Sequence, residues 1–496
     1  MPFILAIDQS TSATKAVWFD AHGRCLDRAV REHRQLHPHP GWVEHDLDEI
    51  WRNTLEVTRE LVGRHADQLD NLAGVSLTNQ RETIAVFDRA SGRPLTNAIV
   101  WQCRRGEGIC RELADAGCEP RLKRLTGLRL DTYFSASKLK WLIRELPGLR
   151  GKLVGGEAVI GTMDTWLVHR LTGGRVLATD HTNACRTLLF DIRNLQWDPW
   201  LCELFDVPPV ALPEVRPSTG HFGETTFDGL LPRAVPICGV LGDSHASLFA
   251  QRCYEPGMAK VTFGTGSSVL LNTGSDMRDS AGGSVSTLAW VDQAGPVYAL
   301  EGIINCSAAS IAWLKDPVGL LESSRQAGEL AAAIPDNGGV YLVPAFAGLG
   351  APHWRPDARA AIVGLTTHST RHHIVRAAEE SIAFQLRDVL QMMRAEAAVP
   401  LRSIRADGGP TRDRFLMQFT ADMLGIALEV SDLPDGSAQG AALAGLLGLG
   451  LCSSLEELAS LPRDPVRYEP RMDTATVERN AAGWTAALKR VLLKTE

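Results

Sequence analysis

The chain has 496 residues, 45% of them hydrophobic and 22% charged, with a net charge of −7. This is the composition of an ordinary soluble globular protein of roughly two to four domains, and the acidic balance argues against nucleic-acid or anionic-membrane partners. Ten cysteines occur without a C-x-x-C pair, no basic leader opens the chain, and the longest apolar stretch, 441–452, is short and glycine-rich. Free thiols, a cytoplasmic location and no membrane insertion are the expectations.

In chain order, residues 3–7 form an apolar run ending at Asp8, 9–14 are small or polar, and 15–19 resume a strand pattern. That predicts strand, polar turn, strand. Helical spacing of apolar residues covers 49–61, and 74–78 read as strand; further helices are predicted over 137–145, 374–393 and 437–449. Near the middle, 258–263 lead into the turn Gly264-Thr265-Gly266-Ser267-Ser268 and a returning strand, 269–272. Two such hairpins predict two lobes of related architecture, 1–250 and 251–496. The boundary is expected near 245–256, where 251–257 have the character of a connector. Strands alternate with helices in both halves, which gives an α/β fold class. A third turn, Asp407-Gly408-Gly409-Pro410-Thr411, follows an expected strand at 401–406, and its paired glycines permit close approach of a flat ligand or simply a turn.

Glycine-rich turns invite a nucleotide reading, but two common fingerprints fail. Gly264-Thr265-Gly266 is followed by Val269 where a dinucleotide fold needs a third glycine, and Gly151-Lys152 is followed by Leu153 rather than Ser or Thr. Turns of Gly, Ser and Thr gather N–H groups and hydroxyls around anionic oxygens, although each alone also suits an ordinary hairpin. Asp8, closing its strand, is either a turn former or a Mg²⁺ ligand beside phosphate. Asp243 has the same placement after 237–242, where a carboxylate can accept a proton from a substrate hydroxyl.

Several segments, in order along nearly the whole chain, carry a family resemblance. Thr78-Asn79-Gln80-Arg81-Glu82-Thr83 and Asn97-Ala98-Ile99-Val100-Trp101-Gln102-Cys103-Arg104-Arg105 resemble the substrate segments of glycerol kinases, within the FGGY carbohydrate-kinase family. The stretches 40–46, 161–167, 183–187 and 212–216 are also similar. Tyr133-Phe134-Ser135-Ala136-Ser137-Lys138-Leu139-Lys140-Trp141 resembles the first signature of the wider family, and 343–352 and 364–366 resemble its second half.

The resemblance implies a two-lobed, actin-like, duplicated ribonuclease-H-like fold with a central cleft. It implies ATP-dependent phosphorylation of a primary hydroxyl of a small polyol, in the first place glycerol to glycerol 3-phosphate. A four- or five-carbon polyol or ketose is the alternative substrate, and an ATP-switched regulator the non-catalytic alternative. By the resemblance, Arg81, Glu82, Trp101, Tyr133 and Asp243 bind the polyol, with Ser244 and Ser268 beside them. Asp243 is the general base and, with Asp8, the expected holder of Mg²⁺. Ser10, Thr11, Ser12 and Lys15 form one phosphate-binding hairpin and Gly264, Thr265 and Gly266 the other, while Ala308, Ala312, Gly408, Gly409 and Asp413 fall on the nucleotide side. The chain departs from the family pattern at six of these: Ser10 for Gly, Lys15 for Arg, Ser244 for Gln, Ser268 for Phe, Ala312 for Gln and Asp413 for Asn. A homo-oligomer, dimer or tetramer, is also implied.

Overall fold

The segment Phe3–Gln9 is apolar through most of its length and buried from Ile4 onward, as a central strand requires. In the computed structural model, which describes residues 2–280, 282–355 and 357–493, it lies inside a six-stranded mixed sheet. It pairs antiparallel with Ala13–Asp20, which pairs antiparallel with Cys25–Glu32. On its other side Leu72–Asn79 and then Val235–Gly242 run parallel, with His221–Thr225 antiparallel at the edge. The crossover is made by the helix Leu47–Arg64, whose start is fixed by Asp46: its side chain accepts the N–H groups of Asp48 and Glu49.

A seven-stranded sheet repeats this order. Met258–Phe263 pairs antiparallel with Ser267–Gly274, which pairs antiparallel with Gly295–Ile304; Val285–Asp292 adds one further edge strand. On the other side Ser403–Asp407 and Leu428–Val430 are parallel, and Val466–Tyr468 closes the sheet antiparallel. Without the added edge strand, both sheets read antiparallel, antiparallel, parallel, parallel, antiparallel. The two hairpins are therefore the first two strands of a duplicated unit, and the α/β, two-lobed expectation holds. The predicted helix at 374–393 is Arg371–Ala397 and makes the second crossover. The strand expected at 401–406 is Ser403–Asp407.

Between the sheets, the helices Asp243–Ala250 and Gly436–Gly448 cross at close range. A Cβ on Gly440 would lie 1.7 Å from the Ala246 carbonyl oxygen. A Cβ on Gly239, whose φ is +79°, would lie 2.4 Å from the Gly445 nitrogen. The glycine-rich apolar stretch is thus a helix that must approach backbone directly. Among the described residues no helix is long and apolar enough to cross a membrane. Residues up to Ala250 are helical, so the irregular link is confined to 251–257.

A buried acid pair supports the end of Val235–Gly242. Asp164 accepts the hydroxyls of Thr162 and Thr179 at 2.5 and 2.6 Å. Asp180 accepts from Ser218 and Thr182 at 2.8 and 3.0 Å, and Thr182 Oγ1 receives the Gly242 N–H at 2.9 Å. Burial, then the charge of Asp180, pushes the Asp164 carboxyl from 3.8 up to about 6. A carboxyl whose folded pKa exceeds its unfolded value favours folding while protonated. That contribution is full below about pH 4 and is lost as pH rises through 6. Asp164→Asn should therefore raise Tm relative to the parent at pH 7.5 compared with pH 4.5, by about 2–4 °C, in paired melting curves. A Tm difference that does not change with pH contradicts the assignment.

Candidate active site

The parallel strands Leu72–Asn79 and Val235–Gly242 end side by side, and their carboxyl ends deliver Arg81, Glu82 and Asp243 to the cleft. Glu82 holds φ +60°, an uncommon conformation for a residue with a Cβ. Gly242 cannot be larger: a Cβ there would lie 2.6 Å from Arg81 Cγ. Together with Trp101, Tyr133, Ser244, Ser268, Glu301 and Ile303, these residues enclose a cavity of about 180 Å³. The structure thus brings into one place every residue expected on the substrate side.

Under this cavity lies a ring of buried charge. Arg81 Nη2 donates to Glu301 Oε1 at 2.8 Å, and its Nε stands 3.3 Å from Asp243 Oδ1 and 3.9 Å from Glu82 Oε1. Arg186 Nε donates to Glu82 Oε1 at 2.6 Å, and its Nη2 stands 2.7 Å from Glu301 Oε2. Glu301 belongs to Gly295–Ile304 in the second sheet, so it joins two arginines of the first lobe from the other side. Burial opposes ionisation of Glu301, but Arg186 and Arg81 outweigh it and hold the carboxyl well below the usual range. His245 is fully buried beside them. Burial, then the charges of Arg81 and Arg186, keeps its imidazole neutral. Two polar atoms of this wall, Arg81 Nη1 and Ser268 Oγ, are buried without a hydrogen-bond partner.

The apolar wall is tied to the first hairpin. Trp101 Nε1 donates to Thr11 Oγ1 at 3.0 Å, and the Trp101 and Tyr133 rings meet at 5.2 Å. Lys138 fixes the Tyr133 loop, donating to the carbonyls of Thr132, Tyr133 and Phe134 at 2.7, 3.0 and 2.8 Å.

A second cavity, of about 280 Å³, shares Asp243, Ser244 and Ser268 with the first and extends between Lys260, Thr262, Asp407, Gly408 and Ser437. Asp8 is buried within Phe3–Gln9. Its Oδ2 lies 3.5 Å from Lys15 Nζ, and its Oδ1 has no partner. Lys15 also reaches Asp435 Oδ1 at 3.3 Å. Burial pushes the Asp8 carboxyl up to about 6, against the pull of Lys15 and with the help of Asp243 and Asp435.

The hairpin turns differ in what they leave free. Ser10 Oγ donates back to the Ala13 carbonyl at 2.9 Å and is used within the turn, whereas Ser12 is exposed. Thr11 accepts from Trp101 and keeps its own O–H as a donor. In the second turn Gly264 N–H closes on Gly266 O at 2.8 Å. The carbonyls of Gly264 and Thr265 receive the N–H groups of Ala308, Ser307 and Ala309, leaving the Thr265 side chain exposed. Gly408, at φ +102°, packs so closely on Phe263 that a Cβ would lie 1.9 Å from its carbonyl oxygen. Gly409 and Ala312 are exposed, and Ala308 precedes the helix Ala309–Lys315. Asp413 is directed into its own helix: Oδ1 accepts the Leu416 N–H at 3.0 Å. Ala308, Ala312, Gly409 and Asp413 lie outside both cavities.

Sequence reasoning assigned no role to Glu301, Arg186, Lys138 or Lys260. The available signal was a charged residue inside an otherwise apolar strand, as for Glu301 and Lys260.

Residues 3–250 match the N-terminal domain of the FGGY family of carbohydrate kinases, and 259–449 match its C-terminal domain. The chain is 45% identical over 490 residues to the glycerol kinase of Desulfitobacterium hafniense, covering 99% of each chain, and 45% identical over 490 residues to glycerol kinase 1 of Thermotoga maritima, again covering 99% of each. Its structure is similar to that of Plasmodium falciparum glycerol kinase with ADP. The TM-score is 0.95 at 35% identity, covering 100% of this chain and 99% of the other.

The charge ring sets a stability expectation. Glu301→Gln leaves two buried guanidinium groups short of one carboxylate, and should cost about 3–5 kcal/mol in denaturant unfolding. Arg186→Met combined with Glu301→Gln restores the balance and should recover most of that loss. A single-variant loss below about 1 kcal/mol would show that the ring is not a coupled unit.

Proposed function

The chain belongs to the FGGY family of carbohydrate kinases, and from that premise we propose that it transfers the γ-phosphoryl group of ATP to a primary hydroxyl of glycerol. The observation that carries this reading is the position of Asp243. Its carboxylate borders both cavities, one lined for hydroxyls and the other bounded by glycine, serine and lysine, and Arg81 holds it at 3.3 Å.

In this reading Arg81 Nη1, which has no protein partner, donates to a glycerol hydroxyl, and Glu82 accepts from another. Trp101 and Tyr133 cover the carbon edge and exclude water that would otherwise compete as acceptor. Asp243 takes the proton of the attacking hydroxyl as its oxygen bonds to the γ-phosphorus. The bridging P–O bond breaks and ADP leaves. Backbone N–H groups and the Thr265 hydroxyl of the two hairpins face the phosphate chain.

Mg²⁺ suits the residues present. Asp8 Oδ1 is a buried carboxylate oxygen without a partner, with Asp243 close enough to raise the Asp8 pKa. Among the described residues there is no cluster of three or more acidic, His or Cys side chains built to hold a metal alone. That agrees with an ion taking one or two carboxylates and completing its shell with phosphate and water. Asp8 and Asp243 would hold it, and its chemistry there is to neutralise charge on the phosphate oxygens.

A second reading, a four- or five-carbon polyol or ketose, draws on the buried, unpaired Ser268 Oγ, which a further substrate hydroxyl would satisfy. Coupled ADP release over glycerol, tetritols, pentitols and ketopentoses separates the two. Glycerol should give the highest kcat/KM, and ATP hydrolysis without any phosphorylated product would favour a regulator instead. Asp243→Asn should lower kcat by about 10²–10⁴ while leaving ATP binding nearly unchanged. Turnover within about threefold of the parent would remove Asp243 from the role of base. If Ser268 leaves usable space, Ser268→Phe should lower the glycerol KM and abolish use of any longer substrate in the same assay.

A further inference from the structure

Lys260 is a charged residue in the interior of Met258–Phe263, between the fully buried Ala259 and Val261, and is itself 1% exposed. With Thr262, two residues on and on the same face, it lines the second cavity. Among the described residues it makes no hydrogen bond and no ion pair. Asp407 lines the same cavity, but its carboxylate is already engaged. Oδ1 accepts from Thr262 at 2.6 Å, and Oδ2 accepts from Ser247 at 3.0 Å and Gln251 at 2.9 Å. Burial lowers the Lys260 pKa, and the fields of Asp407, Asp243 and Glu301 only partly restore it, with Arg81 opposing them.

A buried ammonium without a counter-ion destabilises a fold unless something anionic meets it. Here the cavity offers it a way in, and that cavity shares Asp243, Ser244 and Ser268 with the substrate cavity. We propose that Lys260 is a further catalytic residue, a preset positive charge for the oxygens of the phosphoryl group as it crosses from ATP to the acceptor. The proposal rests on the kinase reading above. Lys260 neither gives nor takes a proton: the acceptor oxygen bonds to phosphorus, the bridging P–O bond breaks, Asp243 receives the hydroxyl proton, and ADP leaves. The ammonium offsets charge spread over the transferring group, the largest kind of contribution open to a protein in this chemistry.

The test uses the full chain with Lys260→Met and Lys260→Gln, read in three ways: Tm without nucleotide, calorimetric Kd for ATP and for ADP, and kcat. Removing an uncompensated ammonium should leave the nucleotide-free Tm equal to or above the parent's. ATP binding should weaken by about tenfold and ADP binding by less than about threefold, because only ATP carries the group that Lys260 meets. The kcat on the accepted polyol should fall by about 10²–10³. A structural lysine would behave otherwise. A lowered Tm in both variants, failure of both to fold, equal weakening for ATP and ADP, or a kcat within about threefold of the parent each overturns the proposal. If the parent transfers phosphate to no polyol, the functional reading fails, and the contrast between ATP and ADP binding still decides on Lys260.

Discussion

The structure turns on the burial of Arg81, Arg186, Glu82 and Glu301 at the junction of the two sheets. Four charged side chains taken out of water are tolerated only because they balance and because each reaches a partner of opposite charge. That requirement dictates much around it. Glu82 adopts a left-handed backbone, Gly242 gives up a side chain, and Glu301 is carried across from the second lobe. What results is a guanidinium whose Nη2 is committed to Glu301 and whose Nη1 is buried and left unpaired.

The same logic explains why the lobes meet as they do. Two small-residue helices, Asp243–Ala250 and Gly436–Gly448, cross at backbone contact, so Asp243 and the strand before it are set by rigid packing rather than by a loop. The Asp164 and Asp180 carboxylates, through Thr182, hold the end of that strand from behind. Precision at the Asp243 carboxylate comes from these supports, since side chains held by packing and hydrogen bonds keep their geometry better than those on free loops.

A second pattern runs through the cleft: Asp8 Oδ1, Arg81 Nη1 and Ser268 Oγ are buried and unpaired, and Lys260 is buried without a counter-ion. Elsewhere each would be a defect. Arg81, Ser268 and Lys260 border two cavities that share Asp243, so these groups are desolvated by folding itself. Under the proposed phosphoryl transfer such a site has little left to reorganise when charge develops, which is the condition for strong electrostatic stabilisation.

The sequence by itself determined the repeated strand–turn–strand units and the α/β class, because alternation and turn chemistry are local. Arg81, Glu82, Trp101, Tyr133 and Asp243 were picked out by the family resemblance of their segments, and the structure gathers them around one cavity. Element ends such as Ser135 or Arg371 moved by a few residues, since caps and tertiary contacts set them. Only the tertiary structure decided that Glu301 and Arg186 close the charge ring and that Asp413 turns into its own helix. It also decided that Ser10 is used within its turn and that Lys260 stands alone at a cavity. For Glu301, Arg186 and Lys260 the physical reason is that pairing depends on groups about a hundred or more residues away in the chain, and no local pattern records that closeness in space. For Ser10 and Asp413 the partners, Ala13 and Leu416, are only three residues away, and the folded backbone of the turn and the helix start decides that the side chain takes that local bond.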